Sequence, residues 1–459
     1  MSTKTAAPGG NKMGTWPIGK LLVNMALPLV ISMLVQALYN VVDSIYVSRI
    51  SESAVTALSL AFPIQNLLIG CATGVGVGVN SLLSKSLGEQ NYERANRTAG
   101  NGFLLSCLFS IGFVIFGLFF ARPFFATQTT VAETLDGGSM YLAIVTVGSI
   151  GIFIEILFER FLQASGNAFQ SMITQATGAI INIVLDPILI FGWFGLPAMG
   201  LAGAALATVI GQWIAACLAM GLNLKHNKEL KDLNRHHAKP DSQVIRSILS
   251  IGVPSIIMVG IGSVMNFGIN QILQGFSETA TGVFGIYFKL QSFFFMPLFG
   301  INNAVISIVA FNYGARNPDR MLKTVKTAAL AGLAIMLTGL AAFQLIPEVL
   351  LSLFDPSAEF MAMAVRALRT ISWCFPVAAV CIILGSTFQA LGTGIYSTIV
   401  SLCRQLVMLL PAAWLLSRTG DVNLVWWAWP IAETSGLPMT LFFFLRNYRQ
   451  KIKPLYNEA

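Results

Sequence analysis

Apolar runs of about 20 residues recur along the whole chain, over 21–42 and through 105–120 with its neighbours among others. Runs of that length match the hydrocarbon thickness of a bilayer and exceed what a buried strand needs. Inside hydrocarbon every backbone N–H and C=O must find its partner within the chain, so only helices or a closed barrel can span it. Barrel strands would read as segments of about ten residues alternating with period two. The runs here are longer and do not alternate, so the expected fold is an all-α integral membrane protein. Composition agrees, because hydrophobic residues make up 55% of the chain and charged residues 10%. A soluble surface carries roughly a quarter charged residues. Two or three soluble domains, which 459 residues would otherwise suit, are therefore excluded.

Reading apolar stretches between charge clusters predicts twelve spans, near 20–48, 53–83, 95–121, 138–159, 168–192, 199–224, 246–275, 282–311, 324–346, 360–386, 394–417 and 424–445. Placing the N-terminus inside gathers most Lys and Arg on one side. Lys12 and Lys20, Lys85, Arg94 and Arg97, the 225–246 segment, Arg316 to Lys326, and Arg446 to Lys453 all fall there. Only Arg49, Arg122 and Arg418 lie clearly opposite. Both termini are thus expected in the cytoplasm of a bacterial inner (plasma) membrane. Topology accounts for the net charge of +8, and no nucleic-acid partner is needed to explain it. The expected division is a cytoplasmic segment 1–19, an N-lobe 20–224, a linker 225–245, a C-lobe 246–445 and a tail 446–459.

The polar start, Met1 to Pro17, shows no short apolar core with a cleavage site, so no signal peptide is expected. The six cysteines lie inside apolar segments without a CxxC pair and read as packing residues. All three histidines fall in one polar loop with no metal-ligand spacing, so no metal site and no catalytic constellation is expected.

One offset organises the chain. Leu87-Gly-Glu-Gln-Asn-Tyr-Glu-Arg94 resembles Tyr313-Gly-Ala-Arg-Asn-Pro-Asp-Arg320, and Leu162-Gln-Ala-Ser-Gly166 resembles Phe388-Gln-Ala-Leu-Gly392. Pro28 matches Pro254, Ser51-Glu52 matches Ser277-Glu278, and Gln65 matches Gln291, every pair 226 positions apart. Chance matches would scatter over many offsets, so the chain is read as a duplication. Six spans per copy is an even number, so both copies enter from the same side. The repeats are parallel, related by a pseudo-twofold axis along the membrane normal. Two such bundles suit alternating access, the geometry of a secondary transporter.

Gln36-Ala-Leu-Tyr-Asn-Val-Val-Asp-Ser-Ile-Tyr-Val47, Leu87-Gly-Glu-Gln-Asn91, Phe161-Leu-Gln-Ala-Ser-Gly-Asn167, Asn182-Ile-Val-Leu-Asp-Pro187 and Gly200-Leu-Ala-Gly-Ala-Ala-Leu-Ala-Thr208 resemble the multidrug and toxic compound extrusion family, in its bacterial DinF-like or Mep-type branch. The similarity covers nearly the whole chain, and it rests on the order and spacing of these segments together. It implies a twelve-helix exporter of cationic, lipophilic drugs driven by inward H+ or Na+ flow. The chain departs from the NorM-like branch, because the seventh and tenth spans lack an internal Asp or Glu.

An ionisable side chain inside hydrocarbon costs roughly 2.5–3.5 kcal/mol on insertion scales and is a functional candidate by default. Asp43 lies in the outer half of the first span. Asn182 and Asp186 are four residues apart in the fifth, hence on one helical face. Both aspartates also match positions the resemblance marks. Glu155 and Glu159 are one turn apart in the fourth span. Glu159 beside Arg160 reads as a structural pair, and Glu155 as the deeper site. The expected coupling set for H+ or Na+ is Asp43, Asp186, Asn182 and Glu155. In the second repeat Lys289, Gln291, Asn266 and Asn270 are expected to line a substrate cleft, and Glu433, Arg366, Arg369 and Arg404 to form interhelical pairs.

These readings converge on a cation-coupled antiporter, with small organic cations and the bilayer as partners, no cofactor beyond the coupling ion, and a monomeric state. A lipid-linked saccharide flippase of the wider superfamily would need a more basic cleft than Lys289, Arg366, Arg369 and Arg404 supply. A passive channel would fit a pore-lining repeat but would not concentrate substrate. A membrane-embedded enzyme would need a catalytic constellation that the sequence does not contain.

Overall fold

The computed structural model describes residues 11–227, 230, 239–354 and 357–457, and every regular element among them is helical. Of the 225–245 linker and the basic N-terminal segment, 1–10, 228–229 and 231–238 lie outside the described residues, and His236 and His237 with them.

The first repeat comprises α1 (Ile18–Ser48), α2 (Glu52–Gly88), α3 (Tyr92–Phe119), α4 (Ala132–Val147 followed by Ile150–Ala164), α5 (Ala168–Phe191) and α6 (Gly200–His226). The second comprises α7 (Ser242–Gln274), α8 (Glu278–Gly314), α9 (Pro318–Leu345), α10 (Ala358–Ile371 followed by Phe375–Ala390), α11 (Gly394–Ser417) and α12 (Ala428–Asn447). Among the described residues, 10 helices are long and apolar enough to cross a membrane, and the bent α4 raises this to 11. The remaining helix, α12, is diluted by Glu433, two prolines and small polar residues. The structure thus agrees with twelve helices. Apolar side chains such as Phe62, Leu118 and Phe293 stand exposed on the helices, as lipid-facing residues do and soluble surfaces avoid.

The 226-residue offset is a record of local backbone chemistry. Ser51 and Ser277 cap α2 and α8, each hydroxyl accepting the N–H three residues on at 3.1 Å. Asn91 and Asn317 cap α3 and α9 in the same way. A side-chain oxygen there satisfies an orphan N–H of the first turn. The tight turns before these caps place Gln90 and Arg316 at φ of 58° and 52°, so the shared Gly-x-x-Asn pattern encodes a shared turn. The break in α4 bends the helix by 43°. Its counterpart in α10 is the tight turn Ser372–Cys374.

The helices group into two compact units. One takes in Ile31–Ile256 and the chain before Trp16, and the other Trp16–Val30 and the chain from Ile257 onward. Residues 20–30 therefore group with the second repeat and 246–256 with the first, and the two divisions are themselves 226 positions apart. Close glycine contacts explain these attachments. In the first unit Gly74 of α2 meets the α7 backbone, where a Cβ would stand 2.8 Å from Gly252 O. In the second, a Cβ on Gly300 of α8 would stand 2.9 Å from Val30 N. Gly300→Val is expected to lower stability by about 1–3 kcal/mol through this backbone clash. Gly285→Ala in the same helix, with nothing within 4 Å, should be neutral or slightly stabilising. Thermal unfolding of the purified variants in detergent checks both.

Candidate functional site

The first unit gathers its intramembrane carboxylates. α1 brings Asp43, α5 brings Asp186, and the second half of α4 brings Glu155 and Glu159. Asp186 is fully buried and Asn182, one turn before it, nearly so. Pro187 follows directly inside α5, where it removes a backbone donor. The oxygen Oδ1 of Asp186 and the Oδ1 of Asp43 are both buried without a hydrogen-bond partner. Such orphaned acceptors cost free energy unless a donor or ion arrives.

Asn182 ties Asp186 to α6. Its amide oxygen accepts from Thr208 N and Thr208 Oγ1, both at 3.1 Å. The other end of the amide lies 3.2 Å from Asp186 Oδ2. Its NH2 donates to the Asp186 carboxylate.

Two tyrosines complete the cluster, and sequence reasoning did not single them out. Tyr39, one turn before Asp43 on α1, lies within electrostatic reach of Asp43, Glu155 and Asp186 together. Tyr141 on α4 is buried, accepts a hydrogen bond from Gln65 Nε2 at 2.8 Å, and lies within electrostatic reach of Asp43, Asp186 and Tyr39. Tyr39 lay inside the quoted first-span segment, and its i,i+4 spacing from Asp43 was the available signal. Tyr141 and Thr208 sit among apolar neighbours with no such pattern.

Nearer the basic end of the same unit, Glu159 accepts from Thr174 Oγ1 at 2.9 Å. Arg160 Nη1 donates to Gln163 Oε1 at 2.8 Å, and Gln163 passes the bond to Ser171 at 2.9 Å. Glu159 thus sits in a satisfied hydrogen-bond network. Glu155 Oε1 lies beside Gly178 of α5, where a Cβ would be 3.5 Å away, in ordinary contact, while the close neighbours of Gly178 are Ala215 and Gly211 of α6.

The second unit is organised differently. Lys289 is exposed, Gln291, Asn266 and Asn270 are half-buried, and no hydrogen bond joins these four to one another. Asn266 Oδ1 is buried without a partner. Of the four charged residues expected to pair, Arg404 and Glu433 do so between α11 and α12 at 3.2 Å. Arg369 pairs instead with Glu348, at 3.4 Å and largely exposed.

The MatE family model matches residues 28–188 and 254–415, one copy on each repeat. "Multidrug export protein MepA" of Staphylococcus haemolyticus is 26% identical over 433 residues, covering 94% of each chain. "Probable multidrug resistance protein YoeA" of Bacillus subtilis is 26% identical over 435 residues, covering 92% of this chain and 93% of its own. Among solved structures, the outward-facing conformation of a multidrug resistance MATE family transporter of the MOP superfamily superposes with a TM-score of 0.90 at 25% identity, covering 99% of this chain and all of that one. A crystal structure of MATE in the straight conformation gives 0.89 at 25% identity, over 98% of this chain and all of its own. Two matched copies of the family model, relatives aligned end to end and a shared fold place the chain in the MatE family, as a multi-pass membrane transporter and not an enzyme.

Proposed function

We propose that this transporter is an antiporter that exports small cationic, lipophilic compounds in exchange for inward H+, from the bacterial plasma membrane with both termini cytoplasmic. The observation that carries the reading is the pair of buried carboxylate oxygens, one on Asp43 and one on Asp186, left without hydrogen-bond partners. A proton neutralises a buried carboxylate that lacks hydrogen-bond partners, which removes the cost of holding its charge there. The names of the relatives, a multidrug export protein and a multidrug resistance protein, support the substrate class.

The cycle follows from the cluster. Proton uptake at Asp186 removes the charge to which the Asn182 NH2 donates, and Asn182 links α5 to Thr208 of α6. Proton uptake at Asp43 removes the charge that an organic cation would use and changes the polar contacts of α1. Proton and substrate thus prefer different states of the same residues, the differential affinity that any coupled exchange requires. Asn182, Thr208 and the two tyrosines also supply hard oxygen ligands, which favours Na+ as the second reading.

Purified protein in liposomes, given a fluorescent organic cation and separate H+ and Na+ gradients, tests both. Transport driven by the H+ gradient alone is expected. Movement driven only by Na+ replaces the ion and keeps the antiporter. No gradient-dependent movement of any organic cation overturns the proposal and turns attention to a lipid or metabolite substrate. Tyr39→Phe, which removes one hydroxyl from among three carboxylates, is expected to slow H+-driven transport about tenfold, the scale of one hydrogen bond to a charged group. Unchanged initial rates in the same vesicles would remove Tyr39 from the site.

A further inference from the structure

The Arg404–Glu433 pair is poorly built for stability. Arg404 Nη1 meets Glu433 Oε2 at a single point, 3.2 Å, with the side chains 13% and 15% exposed. Arg404 Nε has no hydrogen-bond partner. A buried ion pair repays its desolvation only when geometry is good and the remaining donors are satisfied. A guanidinium normally meets a carboxylate through two parallel bonds. Neither condition holds here.

The surroundings are specialised. From Cys403 to Leu409 the helix α11 widens to π-helical winding, a form frequently found at functional sites. The Arg404 stem lies against Gly436 of α12, where a Cβ would be 3.2 Å from Arg404 Cδ. Cys374 and Cys381 of α10 and Tyr287 of α8 lie within electrostatic reach of Glu433. Trp429 stands one turn before Glu433 on α12, with ring centroids 6.3 Å from Tyr287 and 5.5 Å from Phe284. Trp426 is fully buried, yet its Nε1 has no hydrogen-bond partner.

A carboxylate on the same helix as a tryptophan one turn away, and within electrostatic reach of a tyrosine, brings together the groups that recognise an organic cation. The duplication supplies an independent pointer. By the 226-residue offset, Arg404 and Cys381 occupy the positions of Gly178 and Glu155. In the first unit the Glu155 carboxylate lies beside Gly178, 3.5 Å from where a Cβ would stand. Both repeats therefore carry charge at the same internal position, supplied by different residues.

We infer that Glu433 is an organic-cation site of the second unit, with the Arg404 guanidinium as a resident cation that the substrate's positive group displaces, and with the Trp429 and Tyr287 rings holding the substrate's apolar body. The inference rests on the reading that this transporter takes organic cations.

Equilibrium dialysis of tetraphenylphosphonium with purified full-length protein in detergent tests it. Glu433→Gln is expected to weaken binding at least roughly tenfold, the scale of losing a charge-assisted contact. Arg404→Gln, which removes the competitor, is expected to tighten it. A merely structural pair would weaken binding in both variants or in neither, and either result overturns the inference. Should single variants fold poorly, R404M/E433L, which replaces the pair with apolar side chains of similar size, decides. Folded as well as wild type, it is expected to bind as weakly as Glu433→Gln, and wild-type affinity in it overturns the inference. If the wild-type protein itself binds no organic cation, the substrate reading fails instead, and that result is distinct.

Discussion

Asp186→Asn abolishes gradient-driven transport and leaves the folded protein at least as stable as wild type. The substitution exchanges one oxygen for an NH2 of nearly the same size, so packing around the buried position is kept. It removes a charge from hydrocarbon, which by itself favours the folded state. An amide at this position can still donate to or accept from Asn182, 3.2 Å away. What it cannot do is change its proton count, so the charge that Asn182 bonds no longer comes and goes with the proton. The expected loss of net H+-driven transport is about 100-fold or more, roughly 2.7 kcal/mol. Asp43→Asn should behave alike, and the double variant should be no worse than either single one, because the two act in one cycle. Initial rates in proteoliposomes, set beside the thermal midpoint in detergent, give the answer. Normal transport by Asp186→Asn would remove it from the coupling machinery. Lost transport with a much lower midpoint would assign it to structure.

How far the sequence reaches differs between fold and site. Span positions were legible because hydrophobic length is a one-dimensional property, and the helices begin and end within a few residues of the apolar runs. The duplication was legible for a sharper reason. The matched residues are caps and turns, Ser51 and Ser277, Asn91 and Asn317, where backbone chemistry restricts the choice of side chain. The attachment of residues 20–30 to the second unit was not legible. It depends on Gly300 meeting the backbone at Val30, a contact between residues far apart in the chain. The site was legible in proportion to its charge. Asp43, Asp186 and Glu155 stand out in apolar runs because each is costly there. Tyr39, Tyr141 and Thr208 cost little in such a run, and only the fold brings the first two within electrostatic reach of the carboxylates and bonds Thr208 to Asn182. Arg404 and Glu433 were visible as charges, but nothing in the sequence distinguished Glu433 from Glu348 as a partner for the available arginines.

Glu433→Leu lowers stability by about 3–5 kcal/mol, the cost of leaving one member of a buried ion pair unpaired. Arg404 then keeps a charge inside the bundle between α11 and α12, with Nε already lacking a partner. Adding Arg404→Met to that variant removes the uncompensated charge and is expected to restore the midpoint to within about 1 kcal/mol of wild type or above it, as apolar replacement of a buried pair often does. Thermal or denaturant unfolding of the three proteins in one detergent measures the cycle. A single variant as stable as wild type would mean that water already reaches Arg404 and that the pair is not buried in the energetic sense. The opposite outcome for the double variant, a midpoint as low as the single one, would mean that the polar pair itself organises α11 and α12. The expected pattern, loss followed by full recovery, carries the stronger consequence. It would show that the fold does not need these two charges, and that a bundle free to place leucine and methionine there places an ion pair for a purpose other than holding itself together.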